Sequence, residues 1–131
     1  MGGGKSAMKP EVRDLVARCL DSPVKLDIML FFQANPATTD TPEGVALRIY
    51  RSREEVRSAL AELAEDALLN AVALGRGRYL VYSLSEDRTL RQALADLSWC
   101  YHYHAEDRRE ISRLIVERQH ARRQAEGPDH D

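Results

Sequence analysis

The sequence predicts a mainly α fold with a small β-hairpin, an α+β class, and three observations carry the prediction. Two capped helical segments stand almost back to back between residues 41 and 67. Two short alternating segments follow, joined by the tip Gly75-Arg76-Gly77-Arg78. The chain from residue 79 to residue 126 then contains neither glycine nor proline and carries one long apolar stripe at helical spacing.

The 131 residues fit one domain with an extension. With 44% hydrophobic and 31% charged residues, the balance is that of an ordinary globular chain. The net charge of −2 gives no global basicity, so affinity for nucleic acid would have to come from a local patch. No apolar run approaches the roughly 18 residues of a membrane span. The two cysteines, Cys19 and Cys100, lie far apart, and nothing indicates secretion, so the expectation is a cytoplasmic protein with reduced thiols.

Residues 1–9 read as a disordered tail, with three consecutive glycines. Gly4-Lys5-Ser6 resembles the end of a phosphate-binding loop but lacks its upstream glycine and strand. Met1-Gly2 with Ser6 matches only a loose myristoylation pattern. Pro10 suits the first turn of a helix whose Val12, Leu15, Val16, Cys19 and Leu20 share one face. Cys19 is therefore expected to be a small buried residue, not a nucleophile. Ser22-Pro23 opens a second, strongly apolar helix with Val24, Ile28, Leu30, Phe31 and Phe32, which Asn35-Pro36 stops. Residues 37–40 fit a loop or a short edge strand.

Thr41-Pro42-Glu43 combines a cap, a first-turn proline and an acid near the positive helix end. Val45, Ala46 and Ile49 form the buried face, and the helix ends near Tyr50-Arg51. Ser52-Arg53-Glu54-Glu55 has the form of a capping box, in which each side chain satisfies the other residue's backbone N–H. Val56, Ala59, Leu60, Leu63, Ala64 and Ala67 follow at three- and four-residue steps. Two capped helices with so little chain between them must cross steeply, as in a helix-turn-helix. Residues 68–74 and 79–84 then alternate as hairpin strands, with glycine permitting the turn.

Taken together, Ser52 to Leu63, Leu68-Leu69, the Gly-Arg-Gly-Arg tip and Tyr82-Ser83-Leu84 resemble the winged helix-turn-helix transcriptional regulators of the MarR and ArsR kind, over roughly residues 22–85. One departure is that Asp66-Ala67 stands where that family often has a glycine. The resemblance implies a head over residues 10–85, with a recognition helix at 52–67 entering the major groove of double-stranded DNA. Carried over by position, Ser52, Arg53, Arg57 and Ser58 would meet bases and phosphates, and Arg48 and Arg51 would lie near the backbone. Arg76 and Arg78 at the wing would reach the minor groove or flanking phosphates. Arginine suits this work, being always charged and offering a planar fork. From Pro42 to Leu84, however, six arginines (Arg48, Arg51, Arg53, Arg57, Arg76, Arg78) face six acids (Glu43, Glu54, Glu55, Glu62, Glu65, Asp66), a local sum of zero. A winged-helix module that docks proteins without binding DNA is therefore the alternative.

Residues 86–124 read as a helical extension, with residues 125–131 disordered. Ser85 is the expected cap, with Glu86 and Asp87 in the first turn. Leu90, Leu94, Leu97, Tyr101, His104, Arg108, Ile111, Ile115 and Arg118 recur at heptad-like steps, and Leu114 joins the far end. Either one helix of about forty residues or two helices breaking near Ala105-Glu106-Asp107 fits. A long helix with one apolar stripe needs a partner. A second copy, giving a homodimer through Leu90, Leu94, Leu97, Tyr101, His104, Ile111, Leu114 and Ile115, is expected; folding back on the first helix is the other arrangement. Such a dimer would set two recognition helices on successive major grooves.

Trp99-Cys100-Tyr101-His102-Tyr103-His104 is the densest aromatic and ligand-like cluster. Cys100 and His104 stand four apart on one helix face, but two ligands fall short of the three or four a metal needs, so no metal or other cofactor is expected. A small-molecule effector under Trp99 and Tyr103 is a further candidate partner. No catalytic constellation is present, and the expectation is a protein that is not an enzyme.

Overall fold

A computed structural model describes residues 8–126. The phosphate-loop and myristoylation look-alikes fall outside the described residues, as do most of the two expected tails. The described elements run α1 (Pro10–Cys19), α2 (Pro23–Ala34), β1 (Thr39–Asp40), α3 (Pro42–Ile49), α4 (Arg53–Glu65), β2 (Leu69–Leu74), β3 (Tyr79–Leu84), α5 (Arg88–Tyr103) and α6 (Ala105–Glu126). The sheet order is β1-β3-β2, all antiparallel. This is an α+β winged helix. None of the helices among the described residues is long and apolar enough to cross a membrane.

Local chemistry explains most of the starts. Ser22 accepts a bond from the Lys25 N–H, and Thr41 one from the Gly44 N–H. Ser52 accepts from the Glu55 N–H at 3.2 Å, but the return bond of the expected capping box runs to the Ser52 hydroxyl, not to its N–H. Gly44 is required for space. A Cβ there would come within 2.1 Å of the Asp40 carboxylate, which accepts the Thr41 N–H. Helix α5 begins later than expected. Ser85 caps the Asp87 N–H, and Asp87 in turn caps the helix through the Thr89 N–H. At the end of α4, Ala67 takes a left-handed φ of 65°. It performs the turn for which glycine is better suited, and Leu68 N–H closes the motif on the Leu63 carbonyl.

Helix α2 touches α3, α4, α5, α6 and β3, and its Leu26, Ile28, Met29 and Phe32 are buried. The head packs on one side of it and the C-terminal helices on the other. The extension breaks at His104, whose extended backbone (φ −127°, ψ 103°) ends α5, so α6 reverses. Of the two arrangements for this segment, the structure has two helices.

That reversal also corrects the expected coverage of the stripe. Leu94, Leu97, Ile111 and Ile115 are fully buried by the chain's own α1 and α2, in one core with Val12, Val16 and Leu20. Leu90, Tyr101 and Leu114 pack partly against the same core, and His104 sits at the corner. The residues expected to meet a second copy are therefore covered within one chain. The physical reason is the free apolar face of α1, which α5 and α6 reach once the helix breaks. Polar contacts follow the same seam. Arg13 on α1 pairs with Glu110 on α6, and Lys9 lies 3.3 Å from Asp96 on α5.

A charged cluster joins the C-terminal helix to α4. Lys25, only 4% exposed, lies 2.8 Å from Asp21 and 2.6 Å from Glu62. Arg122 of α6 reaches the same two acids at 2.9 and 2.8 Å. Bonding from Arg122, reinforced by Lys25, holds the Glu62 carboxyl down at about 2 against the opposing effect of burial. Burial alone would lower the pKa of Lys25, but its bonds to Asp21 and Glu62 outweigh it and raise it.

Two outcomes follow. Replacing Ile111 with alanine should lower the unfolding free energy by about 2–5 kcal/mol, with the same loss in dilute and concentrated solution, as denaturant titration can show. The stabilisation carried by Glu62 is present above the ordinary carboxylate range and is lost as pH falls toward 2. Wild type should therefore lose about 1–2 kcal/mol more than Glu62→Gln between pH 5 and pH 2 in urea titrations, allowing for screening at a site one-third exposed.

Candidate nucleic-acid interface

The surface built by α3, α4 and the β2–β3 hairpin begins with a tight corner. Tyr50 closes α3 in the left-handed region at φ 59°, and its N–H returns to the Ala46 carbonyl. Arg51 follows, its N–H bonded to the same carbonyl at 3.2 Å. Ser52 then starts α4. The corner projects the first turn of α4 outward while Val56, Ala59, Leu60 and Leu63 face the core.

The structure divides the eight expected contact residues. The Nε of Arg51 donates to Asp27 of α2 at 2.6 Å, and the side chain is half-buried, so it fastens the corner to the centre of the fold. Arg48 lies 3.7 Å from Asp40, with its guanidinium 5.7 Å over the Phe31 ring. Arg57 donates to Glu43 at 3.2 Å, tying α4 to the first turn of α3. The Glu43 carboxyl is held below its usual range, first by its own backbone N–H and then by Arg57. Ser52 is occupied as a cap, while Ser58 is exposed.

Arg53, Arg76 and Arg78 remain exposed, with no side-chain hydrogen bond or ion pair among the described residues. The last two lie in the wing tip. Leu74 O accepts from the Gly77 N–H at 3.1 Å, and Gly75, Arg76 and Gly77 all have positive φ. Two consecutive left-handed residues at the centre of a four-residue turn match the strand twist, which is why glycine flanks Arg76. The open charge is thus three arginines, one at the α4 N-terminus and two on the wing.

Opposing this, α4 itself is acidic. Arg53 and Arg57 stand against Glu54, Glu55, Glu62 and Glu65, a sum of −2. Glu62 is turned inward to Lys25 and Arg122, and Glu55 serves the cap. Glu54 and Glu65 stay on the surface.

Sequence reasoning passed over two residues here. Tyr50 is 92% exposed and Leu47 78% exposed, both beside the arginines. A tyrosine in the left-handed region is costly where glycine or asparagine would not be, and strain of this kind concentrates at functional surfaces. Only the backbone angle exposes the signal, and the sequence does not print it.

The aromatic corner behaves differently from expectation. Cys100 is buried toward Asp107, and burial, with Asp107 second, pushes its thiol up. His104 lies beyond the helix end and accepts from the Trp99 indole at 3.2 Å, so Cys100 and His104 do not share a helix face. The Trp99 and Tyr103 rings lie 4.5 Å apart between centroids, tilted by 40°, on the open surface, forming a platform and not a roof over a cavity. Among the described residues no group of three or more His, Cys, Asp or Glu could hold a metal. Cys19 is buried, and burial raises its thiol pKa.

No family model matches the sequence, and no curated protein matches it. Among solved structures, a mutant of Lactococcus lactis ZitR is similar, at 18% identity and a TM-score of 0.47, covering 76% of this chain and 66% of that one. The likeness is too distant to carry an argument, and the winged-helix assignment rests on the element order and sheet topology above.

Tyr50→Asn separates strain from contact. Relief of the left-handed backbone should raise stability by about 0.5–1 kcal/mol in thermal melts, since little packing is lost. If Tyr50 meets duplex DNA, the same variant should bind it several-fold more weakly; unchanged binding removes Tyr50 from the interface.

Proposed function

We propose that the chain is a DNA-binding transcriptional regulator whose head docks on the duplex through the first turn of α4 and the wing. The observation that carries this reading is the segregation of charge. Three of the six arginines between Pro42 and Leu84 are neutralised by acids of the fold, while Arg53, Arg76 and Arg78 project from the two parts of a winged helix that meet DNA. In this reading Arg53, with Ser58 and Tyr50, meets the major groove, and the wing arginines meet phosphate or the minor groove. Arg51 and Ser52 hold the corner in shape, while Arg48 and Arg57 contribute only by exchanging an acid for a phosphate. The protein acts in the cytoplasm as a homodimer, and since the extension stripe is buried, the two copies meet through another face. An effector, if one acts, would meet the Trp99–Tyr103 platform.

A second reading, a winged-helix module that docks proteins, draws on the −2 charge of α4 and the apolar wing. Salt titration of duplex binding separates them. Three open arginines neutralise three phosphates per head and exchange at Arg48 and Arg57 adds at most two, so the slope of log affinity against log salt should lie near −3 and not exceed about −5 per copy. Alanine at Arg53, Arg76 and Arg78 together should flatten most of the slope, whereas Arg51→Ala should lower stability first. Absence of duplex binding at low salt, or binding that the triple variant leaves intact, rejects the DNA reading.

A further inference from the structure

The end of α6, residues 116–126, runs past the core. None of these residues is buried, and only Arg118 and Gln119 are half-covered. Most of their polar contacts stay along the helix itself: Arg113 with Glu117, His120 with Gln124, and Arg122 with Glu126. Among the described residues, the one hydrogen-bonding or ion-pairing connection from this stretch to another element is Arg122. It lies 2.9 Å from Asp21 in the α1–α2 link, and its guanidinium donates to both carboxylate oxygens of Glu62 on α4, at 3.0 and 2.8 Å. So short and exposed a helix end is marginal on its own. A forked, charge-assisted contact is what holds it down.

The mooring point stands beside the surface that the DNA reading uses. Glu62 follows Ser58 by four residues, so the two are neighbours on the surface of α4. Both line one cleft of about 200 Å³ with Ser22, Lys25, Glu55 and Arg122. The Glu62 side chain is 34% exposed, so its charge is felt outside the cluster when nothing matches it. As the chain stands it is matched: Lys25 and Arg122 set two positive charges against the two negative charges of Asp21 and Glu62. Taking Arg122 away leaves an excess of one negative charge on the flank of α4.

We propose that the end of α6 is a strap moored through Arg122, and that this arginine is a positioning residue which keeps the flank of α4 neutral where phosphate must approach. The second half rests on the DNA reading; the first does not. The C-terminal helix thereby sets the affinity of a surface that it does not itself form. With the strap down, the duplex meets a balanced cluster beside Ser58; with the strap lifted, the matching charge leaves and the acids remain.

Two measurements on the full chain test the two halves. In hydrogen exchange without DNA, Arg122→Gln should speed exchange of the amides of residues 119–126 by about tenfold or more, and leave those of Ile111 and Leu114 unchanged. Duplex binding at low salt should follow the charge of the cluster. Arg122→Gln should weaken it by about two- to fivefold, with the difference fading as salt rises. Arg122→Lys, which keeps the charge but not the fork, should lose less. Adding Glu62→Gln to Arg122→Gln leaves Lys25 balanced by Asp21 and should restore wild-type affinity. A merely structural role for Arg122 gives no such rescue, since the double variant leaves the strap as loose as the single one. Unchanged exchange in Arg122→Gln overturns the strap. Unchanged duplex binding in that variant, or a double variant that stays weak, overturns the coupling. A wild type that binds no duplex rejects the DNA reading and the coupling with it, while the exchange result still decides the strap.

Discussion

The burial of Lys25 is the constraint around which the rest of the structure is arranged. Helix α2 lies at the centre, covered by α4 on one side and by the C-terminal helices on the other, and its first turn takes an ammonium almost out of water. An isolated buried charge would be untenable. Asp21 and Glu62 answer it, and two acids on one lysine would themselves be in excess, so Arg122 completes the set. The cluster joins four separate parts of the chain: the α1–α2 link, α2, α4 and the end of α6. It also anchors the last turns of α6, where no residue after Ile115 is buried. Buried ion pairs are weak evidence of net stability, but removing one partner strands the others. The cluster is best understood as fixing the position of α6 against α4.

The same logic sorts the arginines. Those near an acid of the fold are drawn into it: Arg51 to Asp27, Arg57 to Glu43, Arg48 to Asp40. Those that project from a helix start or a turn make no ion pair among the described residues, and Arg53 acts on Glu43 only from beyond ion-pair distance. A local charge sum of zero therefore conceals an uneven distribution, with positive charge at two points and negative charge along the flank of α4. A surface of that kind binds a polyanion weakly and by placement, not by bulk attraction.

The wing carries two characters at once. Its tip is cationic and its strands are neutral and apolar. The first suits phosphate, while the second leaves Val72, Leu74, Tyr79 and Leu80 in water. Because the arginines sit in the turn and the apolar side chains on the strands, one hairpin can offer both without conflict.

Much of the architecture was legible in the residues themselves. Helix starts at Pro10, Ser22, Thr41 and Ser52, the stop at Asn35-Pro36 and the turn at Gly75 to Arg78 are local events, decided within four residues by caps, proline and glycine. The apolar stripe of the extension was equally clear, and so was its need for cover. What covers it was not, because Leu94 or Ile111 would bury the same apolar area against a second copy as against Val12. Only the break at His104 and the reach of α6 decide that. The candidate site divides in the same way. The sequence identified the arginines, since their type and order are local. Which of them are held by Asp27, Asp40 or Glu43 depends on contacts between separate elements, and the strain at Tyr50 depends on a backbone angle. Short-range chemistry is written in the order of residues; the pairing of charges and the covering of apolar faces arise only when distant segments meet.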